Sequence, residues 1–220
     1  MEYENKELCV KCGGKCCIKS GCDYFVSDFK IIDKATILKI LETGNVSVVS
    51  AFKNETLPNG QMKMVPILYL RARNKGREVM DLFSMKKTCS MLTDAGCSYT
   101  LSERPGGGVN LIPGENGCKP YKNPIEEIKK WMPYQSLLAK IVKRYTGMSV
   151  DAKIKCDVEE VFYDVLCNNF DGVTDLEIAD IISGLPSLRM CFPLEYEKAK
   201  KRKDNDLKLV RNKEVNNYGI

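Results

Sequence analysis

The sequence predicts an α+β protein in which cysteine-rich loops and a small antiparallel meander precede a C-terminal helical layer. Three observations lead to this prediction. Eight of the eleven cysteines fall into two groups within the first 118 residues, and β-branched runs separated by turn signals lie between the groups. After residue 123 the apolar residues recur with the period of a helix. We therefore expect a cysteine-rich region with a small sheet over residues 1–122 and a helical region with a basic tail over 123–220, joined in one compact unit.

The first regular elements are predicted between the two cysteine groups. Asp33 is a suitable cap for a helix that continues to Thr43 and ends at Gly44. Three β-rich segments follow, separated by a turn signal at 54–61 and by a short Asn-Lys-Gly loop at 74–76. These predicted strands are Val46–Phe52, Met64–Arg73 and Glu78–Ser84. We expect them to form the antiparallel meander.

The segment from Cys89 to Cys118 is rich in glycine and proline and has no hydrophobic period. A loop of this length in a compact domain is usually functional or held in place by a further constraint. A thiolate-bound metal would supply that constraint, so we expect the cysteine-rich loops to be metal-bound.

Helices are predicted after this loop. Asn123 followed by Pro124 is a helix start, and Pro133 is expected to kink or divide this helix, which resumes and continues to residue 145. Further helices are predicted at Val158–Asn168, from the capping box of Thr174 and Glu177 to Gly184, and from about Pro193 into the basic tail.

The composition is that of a globular protein, with 44% hydrophobic and 29% charged residues. No apolar run of about 18 residues is present, which argues against a membrane span. The N-terminus, MEYENKELC, lacks the apolar core of a secretory signal, so we expect a cytoplasmic protein with reduced thiols. The net charge is +5, and residues 195–220 supply +3 of it through eight basic and five acidic residues. The small remainder argues against a nucleic-acid partner.

The chain contains no histidine. Catalysis by Ser-His-Asp or Cys-His arrangements is therefore excluded, and so are zinc sites that use imidazole ligands. Any transition-metal site in this chain must be built mainly from thiolates.

The stretch CVKCGGKCC at residues 9–17 has the features of a metal-binding segment. Cys9 and Cys12 have the short spacing of zinc and iron–sulfur ligands, and Gly13-Gly14 would permit a tight backbone whose amides face the sulfurs. Core packing and disulfide pairing are the alternatives. The neighbouring residues are lysine and glycine rather than apolar residues, so metal ligation is favoured.

Eight cysteines are candidate metal ligands: Cys9, Cys12, Cys16, Cys17, Cys22, Cys89, Cys97 and Cys118. Zinc and a [4Fe–4S] cluster both accept four thiolates, so the spacing leaves both metals open. The lack of histidine and the surplus of thiols favour the iron–sulfur cluster slightly. The other three cysteines, Cys156, Cys167 and Cys191, lie in apolar helical stretches, and we expect them to be buried packing residues.

Together with the first motif, residues 89–105, CSMLTDAGCSYTLSERP, resemble the YkgJ-type cysteine-cluster proteins, which are described as zinc- or iron-chelating. That family has an early C-x2-C-G-x-C-C element, followed later by C-x-hydrophobic-L, G-C-x-Y and R-P with another cysteine. The resemblance covers roughly residues 9–118. Flagellin lysine-N-methylases carry a similar cysteine arrangement, and this kinship implies an iron–sulfur cluster and a role in protein modification.

Two departures from the family pattern concern the ligands. The first motif is one residue longer, Cys-Gly-Gly-Lys-Cys-Cys, and the cysteine expected after Arg104-Pro105 is replaced by Gly106–Gly108. Cys118 stands ten residues further on and is the candidate replacement for the missing ligand.

Three classes of function stay open. If four thiolates close the site, the protein is an interaction protein with a structural zinc site. If a cluster iron or a neighbouring pocket accepts a substrate, it is an enzyme. If exposed thiols bind a metal reversibly, it is a metal carrier. Arg104 is the candidate cofactor-binding residue, since it is suited to offset the charge of a thiolate cluster or to bind a substrate carboxylate; a surface salt bridge is the alternative. Tyr99 and Glu115 are further candidates nearby. A protein is the candidate substrate or partner.

Overall fold

The structure, a computed structural model, describes residues 7, 11, 14, 17, 18, 22–56, 62–94, 96–100, 102–114 and 118–217; of residues 54, 56, 62, 63 and 210–217 it describes the backbone alone. The predicted α+β architecture is confirmed, with small antiparallel sheets and a C-terminal helical region. The strands are β1 (Val46–Thr56), β2 (Met62–Ala72), β3 (Leu92–Thr93), β4 (Gly96–Cys97), β5 (Leu111–Ile112) and β6 (Lys119–Pro120). The helices with described bounds are α1 (Lys34–Glu42), α2 (Gly106–Val109), α3 (Pro124–Lys129), α4 (Gln135–Thr146), α5 (Val150–Cys167), α6 (Asp175–Cys191) and α7 (Pro193–Asn217).

The strands pair with their neighbours in sequence. β1 and β2 form a long antiparallel hairpin, with Val46 opposite Ala72 and Thr56 opposite Met62. β3 pairs with β4 and β5 pairs with β6 in two-residue antiparallel ladders. The long hairpin is therefore the main sheet among the described residues, and it carries the elements that surround the cysteines.

Irregular backbone extends the hairpin along β2. The segment 22–24 lies antiparallel to β2, where Tyr24 N–H donates to Leu70 O (2.9 Å) and Ala72 N–H donates to Cys22 O (2.8 Å). These bonds use the outward-facing backbone groups of β2, which would otherwise need water or another strand. Cys22 is therefore held at the edge of the sheet.

The predicted third strand of the meander is not formed: residues 78–84, all of which the structure describes, contain no strand. This segment runs parallel to β1 and meets it at an isolated bridge between Val48 and Met80. The Asp157 carboxylate on α5 accepts a hydrogen bond from Leu82 N–H (3.1 Å). A buried side chain from the helical layer thus satisfies backbone that an antiparallel ladder would have satisfied.

Most of the helix start signals are confirmed. Asp33 caps α1, Asn123 caps α3, and Pro133 lies in a short 3-10 turn that separates α3 from α4. Thr174 and Glu177 form the predicted capping box of α6, and α7 begins where predicted. None of the described helices is long and apolar enough to cross a bilayer.

Two helices are longer than predicted. α5 begins at Val150 instead of Val158, because Ser149 caps it by accepting a backbone hydrogen bond. α6 continues past Gly184 to its end at residue 191. Leu188 in this extension is buried in the core, and its burial contributes about 1.5–3 kcal/mol against a cost of about 1 kcal/mol for Gly184 and about 3 kcal/mol for Pro186 inside the helix.

The prediction that the three late cysteines are buried is wrong: Cys156, Cys167 and Cys191 are all exposed. The buried side chains of α5 lie at helical spacing on one face, at Ile154, Asp157, Val158, Val161 and Phe162. Cys156 and Cys167 fall outside this face. Apolar neighbours in the sequence therefore did not reveal which side of the helix each thiol occupies.

One hydrophobic core joins the hairpin to the helices, and residues from both predicted regions contribute to it. Gln135 at the start of α4 fastens the two layers, because its side chain donates to Leu68 O (2.8 Å) and accepts from Leu68 N–H (2.8 Å). Trp131 is fully buried, and its Nε1 donates to Tyr24 O (2.9 Å). The helical layer thus holds the backbone that carries Cys22 against β2.

Candidate metal centre

The structure brings the two cysteine groups together. Cys22 packs with Cys89 and Ala72, and all three residues are buried. Cys17 packs against the same residues from the N-terminal group. Cys17, Cys22 and Cys89, which we call the buried cysteine cluster, therefore meet although 67 positions (89 − 22) separate the second from the third in the sequence. Met91 also contacts this cluster.

Backbone contacts hold the N-terminal group on the loop that carries Cys89. Cys89 N–H donates to Cys17 O (3.1 Å). Gly14 has a φ of +68°, and a Cβ at this position would lie 2.5 Å from Leu92 Cδ1. Glycine alone fits there without strain, because it has no Cβ and tolerates a positive φ. The predicted tight backbone of the first motif is confirmed at Gly14, whereas Gly13 lies outside the described residues.

The glycine run that stands in place of the expected cysteine has a packing role. Gly107 N–H donates to Asp23 O (2.8 Å), which holds α2 on the segment that follows Cys22. A Cβ on Gly107 would lie 2.6 Å from Asp23 O, and a Cβ on Gly108 would lie 2.6 Å from Cys22 Sγ. The run lets two backbones approach closely beside the cysteine cluster. The sequence showed that glycines replace the expected cysteine, but it did not predict this contact. The three successive glycines were the signal that two backbones approach closely here.

The electrostatic environment of the cluster opposes ionisation of its thiols. Burial raises the pKa of the Cys22 thiol, neighbouring acidic groups including Cys89 and Cys97 raise it further, and Arg104 lowers it. Burial also raises the pKa of the Cys89 thiol; Cys97 adds to this rise and Arg71 counteracts it. Two arginines therefore lie near enough to offset the negative charge that thiolates would bring to this site.

Arg104 is half-buried and borders a pocket beside the cluster. Its Cγ and the Cys22 Sγ both approach Gly108, so the arginine stem lies next to this thiol. The pocket has a volume of about 370 Å³. Its lining includes Asp28, Arg104, Asn110, Tyr121 and Lys122. The position of Arg104 suits the predicted charge compensation and also places its stem at a space open to a small molecule.

The remaining predicted ligands differ in their distance from the buried cysteine cluster. Cys97 in β4 is half-buried and close enough to the cluster to influence the ionisation of Cys22 and Cys89. Cys118 is half-buried just before β6 and is not one of the residues packed into the cluster. The candidates that lie outside the described residues are Cys9, Cys12, Cys16 and Glu115. Tyr99 packs against the cluster.

No group of three or more cysteine or carboxylate side chains within the described residues is arranged to hold a metal ion. A complete ligand set would therefore draw on the cysteines at positions 9, 12 and 16 as well. The donor chemistry fits a thiophilic metal, because thiols from both groups lie together and two arginines lie nearby.

A buried carboxylate from the helical layer holds the chain just before Cys89. Glu177 Oε1 accepts from Thr88 N–H (2.8 Å) and from Thr88 Oγ1 (3.0 Å), while Oε2 accepts from Thr174 N–H (2.8 Å). The capping box in the sequence identified Glu177 as the partner of Thr174. Its second role, on a segment almost ninety residues earlier, had no signal in the sequence.

No protein-family model, curated protein or solved structure matches this chain. The resemblance to the YkgJ-type proteins therefore stays a prediction from the cysteine motifs.

Proposed function

We propose that this chain is a metal-binding protein whose thiolates hold an iron–sulfur cluster, with zinc as the alternative. The observation that carries the proposal is the meeting of Cys17 and Cys22 with Cys89 in one buried cluster, with Cys97 nearby. Thiolates are the ligands that zinc and iron–sulfur clusters prefer. The residues around such a site tune the bound metal through hydrogen bonds to the ligands and through exclusion of solvent.

The ligands would come from both cysteine groups. Cys22, Cys89 and Cys97 carry thiols rather than disulfides. The closely spaced Cys9 and Cys12 are the best candidates to complete the set, because the segment that follows them is bonded to the loop carrying Cys89. A [4Fe–4S] cluster would supply one-electron chemistry, whereas a zinc ion with four thiolates would supply a structural cross-link.

A metal would also remove the electrostatic cost of ionising the thiols of the cluster. Buried thiols with raised pKa values keep their protons, and several thiolates at one buried place repel each other. A coordinated cation removes both costs, since it binds the deprotonated form and neutralises its charge. Arg71 and Arg104 would offset the remaining negative charge.

The pocket beside Arg104 favours an enzyme as the second candidate function. A substrate in this pocket would contact Arg104, whose stem lies near the Cys22 thiol. A protein side chain is the candidate substrate, and a structural zinc protein or a metal carrier is the non-catalytic alternative. Reduced thiols suit the cytoplasm, which we propose as the compartment.

Anaerobic purification followed by elemental analysis tests the proposal. We expect a brown protein that contains iron and acid-labile sulfide. Colourless protein that contains only zinc would replace the iron–sulfur cluster by the zinc alternative. Protein without either metal, even after reconstitution with iron and sulfide or with zinc, would overturn the proposal.

Serine variants identify the ligands. Cys97→Ser and Cys22→Ser should lower the metal content, because each removes a thiolate at or beside the cluster. Cys167→Ser is the matched control, since this exposed thiol lies on α5 and should leave the metal content unchanged. Equal metal content in all three variants would contradict the assignment of the site.

A further inference from the structure

A second cavity lies between the hairpin, the segment 81–87 and α6. Its volume is about 240 Å³. This is below the range of typical drug-sized ligand pockets, which begins at about 300 Å³, so a ligand would be small. The residues that matter for its chemistry are Tyr69, Arg71, Asn74, Phe83 and Ile181.

Arg71 supplies hydrogen-bond donors to this cavity. Its Nε lies 3.0 Å from Asp23 Oδ1, and the side chain is largely buried. This ion pair engages the Nε side of the planar guanidinium, although neither atom makes a hydrogen bond, and the terminal nitrogens carry further N–H donors. An arginine held in this way is preorganised to receive a carboxylate, because its orientation is already set.

Asn74 supplies an acceptor without a partner. Its Nδ2 donates to Asp81 Oδ2 (3.0 Å), which sets the orientation of the amide. Its Oδ1 is buried and has no hydrogen-bond partner among the described residues. Buried acceptors are rarely left in this state, so Oδ1 calls for a donor from a ligand or from water.

Tyr69 and the apolar wall complete the site. Tyr69 and Arg71 lie on the same face of β2, because side chains two positions apart on a strand point the same way. Burial raises the pKa of the Tyr69 hydroxyl, which therefore keeps its proton. The tilted rings of Phe52 and Phe83 lie 6.1 Å apart between centroids, and Ile181 of α6 also lines the cavity.

The two carboxylates in the lining are already engaged. Asp81 accepts from Arg77 and Asn74, and Glu177 accepts from the backbone at Thr88. Their lone pairs are therefore occupied by donors within the fold. We assign the ligand to the guanidinium of Arg71 and the Oδ1 of Asn74; the Tyr69 hydroxyl and the side chains of Lys86 and Lys87 are further polar groups of the lining.

We propose that this cavity binds a small carboxylic acid with an apolar body and a hydroxyl group. The carboxylate would pair with Arg71, the hydroxyl would donate to Asn74 Oδ1, and the apolar body would lie against Phe83 and Ile181. This site uses none of the cysteines, but it shares Arg71 with the proposed metal centre, where the same guanidinium would offset thiolate charge.

Calorimetry on the full chain tests the proposal with 3-phenyllactate, which carries a carboxylate, a hydroxyl and an aromatic ring, and with a panel of other aromatic and aliphatic hydroxy acids. We expect saturable binding of at least one hydroxy acid. Its diol analogue, which lacks the carboxylate, should bind about tenfold more weakly or not at all, because the charge-assisted pair with Arg71 is lost.

Two variants locate the binding. Ile181→Trp fills the cavity and leaves the Arg71–Asp23 pair in place, so it should abolish binding of the acid. Ile182→Trp is the matched control, because Ile182 is next to Ile181 on α6 but is exposed and does not line the cavity. Arg71→Lys keeps the charge but not the planar fork, and it should weaken binding about tenfold.

The binding results for the wild type and the variants separate this proposal from its alternatives. Failure of the wild-type chain to bind any acid of the panel would overturn the proposal, and so would binding that persists unchanged in Ile181→Trp. Metal content is measured on the same samples. A protein that binds metal but no acid would therefore refute this site alone.

Discussion

Gly108 lies where α2 passes closest to the Cys22 thiol. A Cβ at this position would be 2.6 Å from Cys22 Sγ and 2.7 Å from Arg104 Cγ. Real Cβ atoms do not approach other atoms so closely, so a side chain here would displace the thiol or the arginine stem. The residue therefore controls the distance between the cysteine cluster and the segment that carries Arg104.

Gly108→Ala should destabilise the protein by about 1–3 kcal/mol, because it overpacks a close contact. It should also lower the metal content, since the displaced atom is the Cys22 sulfur. Urea unfolding and elemental analysis of the same preparations measure the two effects.

Gly184→Ala is the control for helical propensity. Gly184 is also a helical glycine, but a Cβ there meets nothing within 4 Å. Alanine should therefore stabilise the protein by up to about 1 kcal/mol and leave the metal content unchanged. Equal effects of the two substitutions would show that Gly108 does not set the position of the thiol.

α6 acts on the candidate centre through its first turn. Glu177 caps the helix and also accepts hydrogen bonds from the backbone and side chain of Thr88, the residue before Cys89. The same helix forms a half-exposed ion pair between Asp180 and Lys87. The buried carboxylate is expected to matter more, because exposed ion pairs contribute little.

Glu177→Gln should destabilise the protein by about 1–3 kcal/mol. Glutamine keeps one acceptor oxygen but turns an NH2 group toward donors that the second carboxylate oxygen now satisfies. Asp180→Asn is the matched control on the same helix and should cost no more than about 1 kcal/mol. Chemical unfolding compares the two variants. A larger loss in Asp180→Asn would assign the anchoring role to the surface pair.

The same carboxylate makes stability depend on pH. Burial would raise the pKa of Glu177, but hydrogen bonds from Thr174, Lys87 and Thr88 lower it below its ordinary value of 4.5. A carboxyl group with a lower pKa in the folded state stabilises the fold above its unfolded pKa and loses this contribution as pH falls through the folded pKa. Below about pH 4.5 the wild type should therefore lose stability more steeply than Glu177→Gln, which unfolding at a series of pH values measures.

The buried residues of the described part of the molecule form two separate hydrophobic clusters. The large one contains the hairpin and the helices, and the small one contains Cys22, Ala72 and Cys89. Helices α4 and α5 are buried through the large cluster alone. A metal bound to the cysteines would therefore stabilise the loops locally, while the helical layer has its own apolar core.

Removal of the proposed metal should loosen the cysteine loops and leave the helices intact. The amides of Ala72 and Cys89, which donate to Cys22 O and Cys17 O, should exchange about tenfold faster or more in the metal-free protein. Amides within α5, such as that of Val158, should keep their protection. Hydrogen exchange resolved by residue measures both, and faster exchange throughout would indicate that the metal supports the whole fold.

Local chemistry explains which features could be predicted. Capping residues such as Asp33 and Asn123 act on the backbone next to them, so their helix starts were visible in the sequence. The lack of histidine and the spacing of Cys9 and Cys12 are likewise properties of the chain alone. The local patterns predict an α+β protein, and the lack of histidine means that a transition-metal site would be built mainly from thiolates.

Contacts between distant segments decided the rest. The segment 78–84 has the composition of a strand but lies parallel to β1, because Asp157 from α5 satisfies part of its backbone. Cys167 follows Val165 and Leu166 but lies on the exposed side of α5, since packing against α7 and α4 selects the buried face. The close fit of Gly108 against Cys22 and the unpartnered oxygen of Asn74 arise in the same way. Such features depend on which surfaces meet when the chain collapses, and neighbouring residues in the sequence carry no record of that choice.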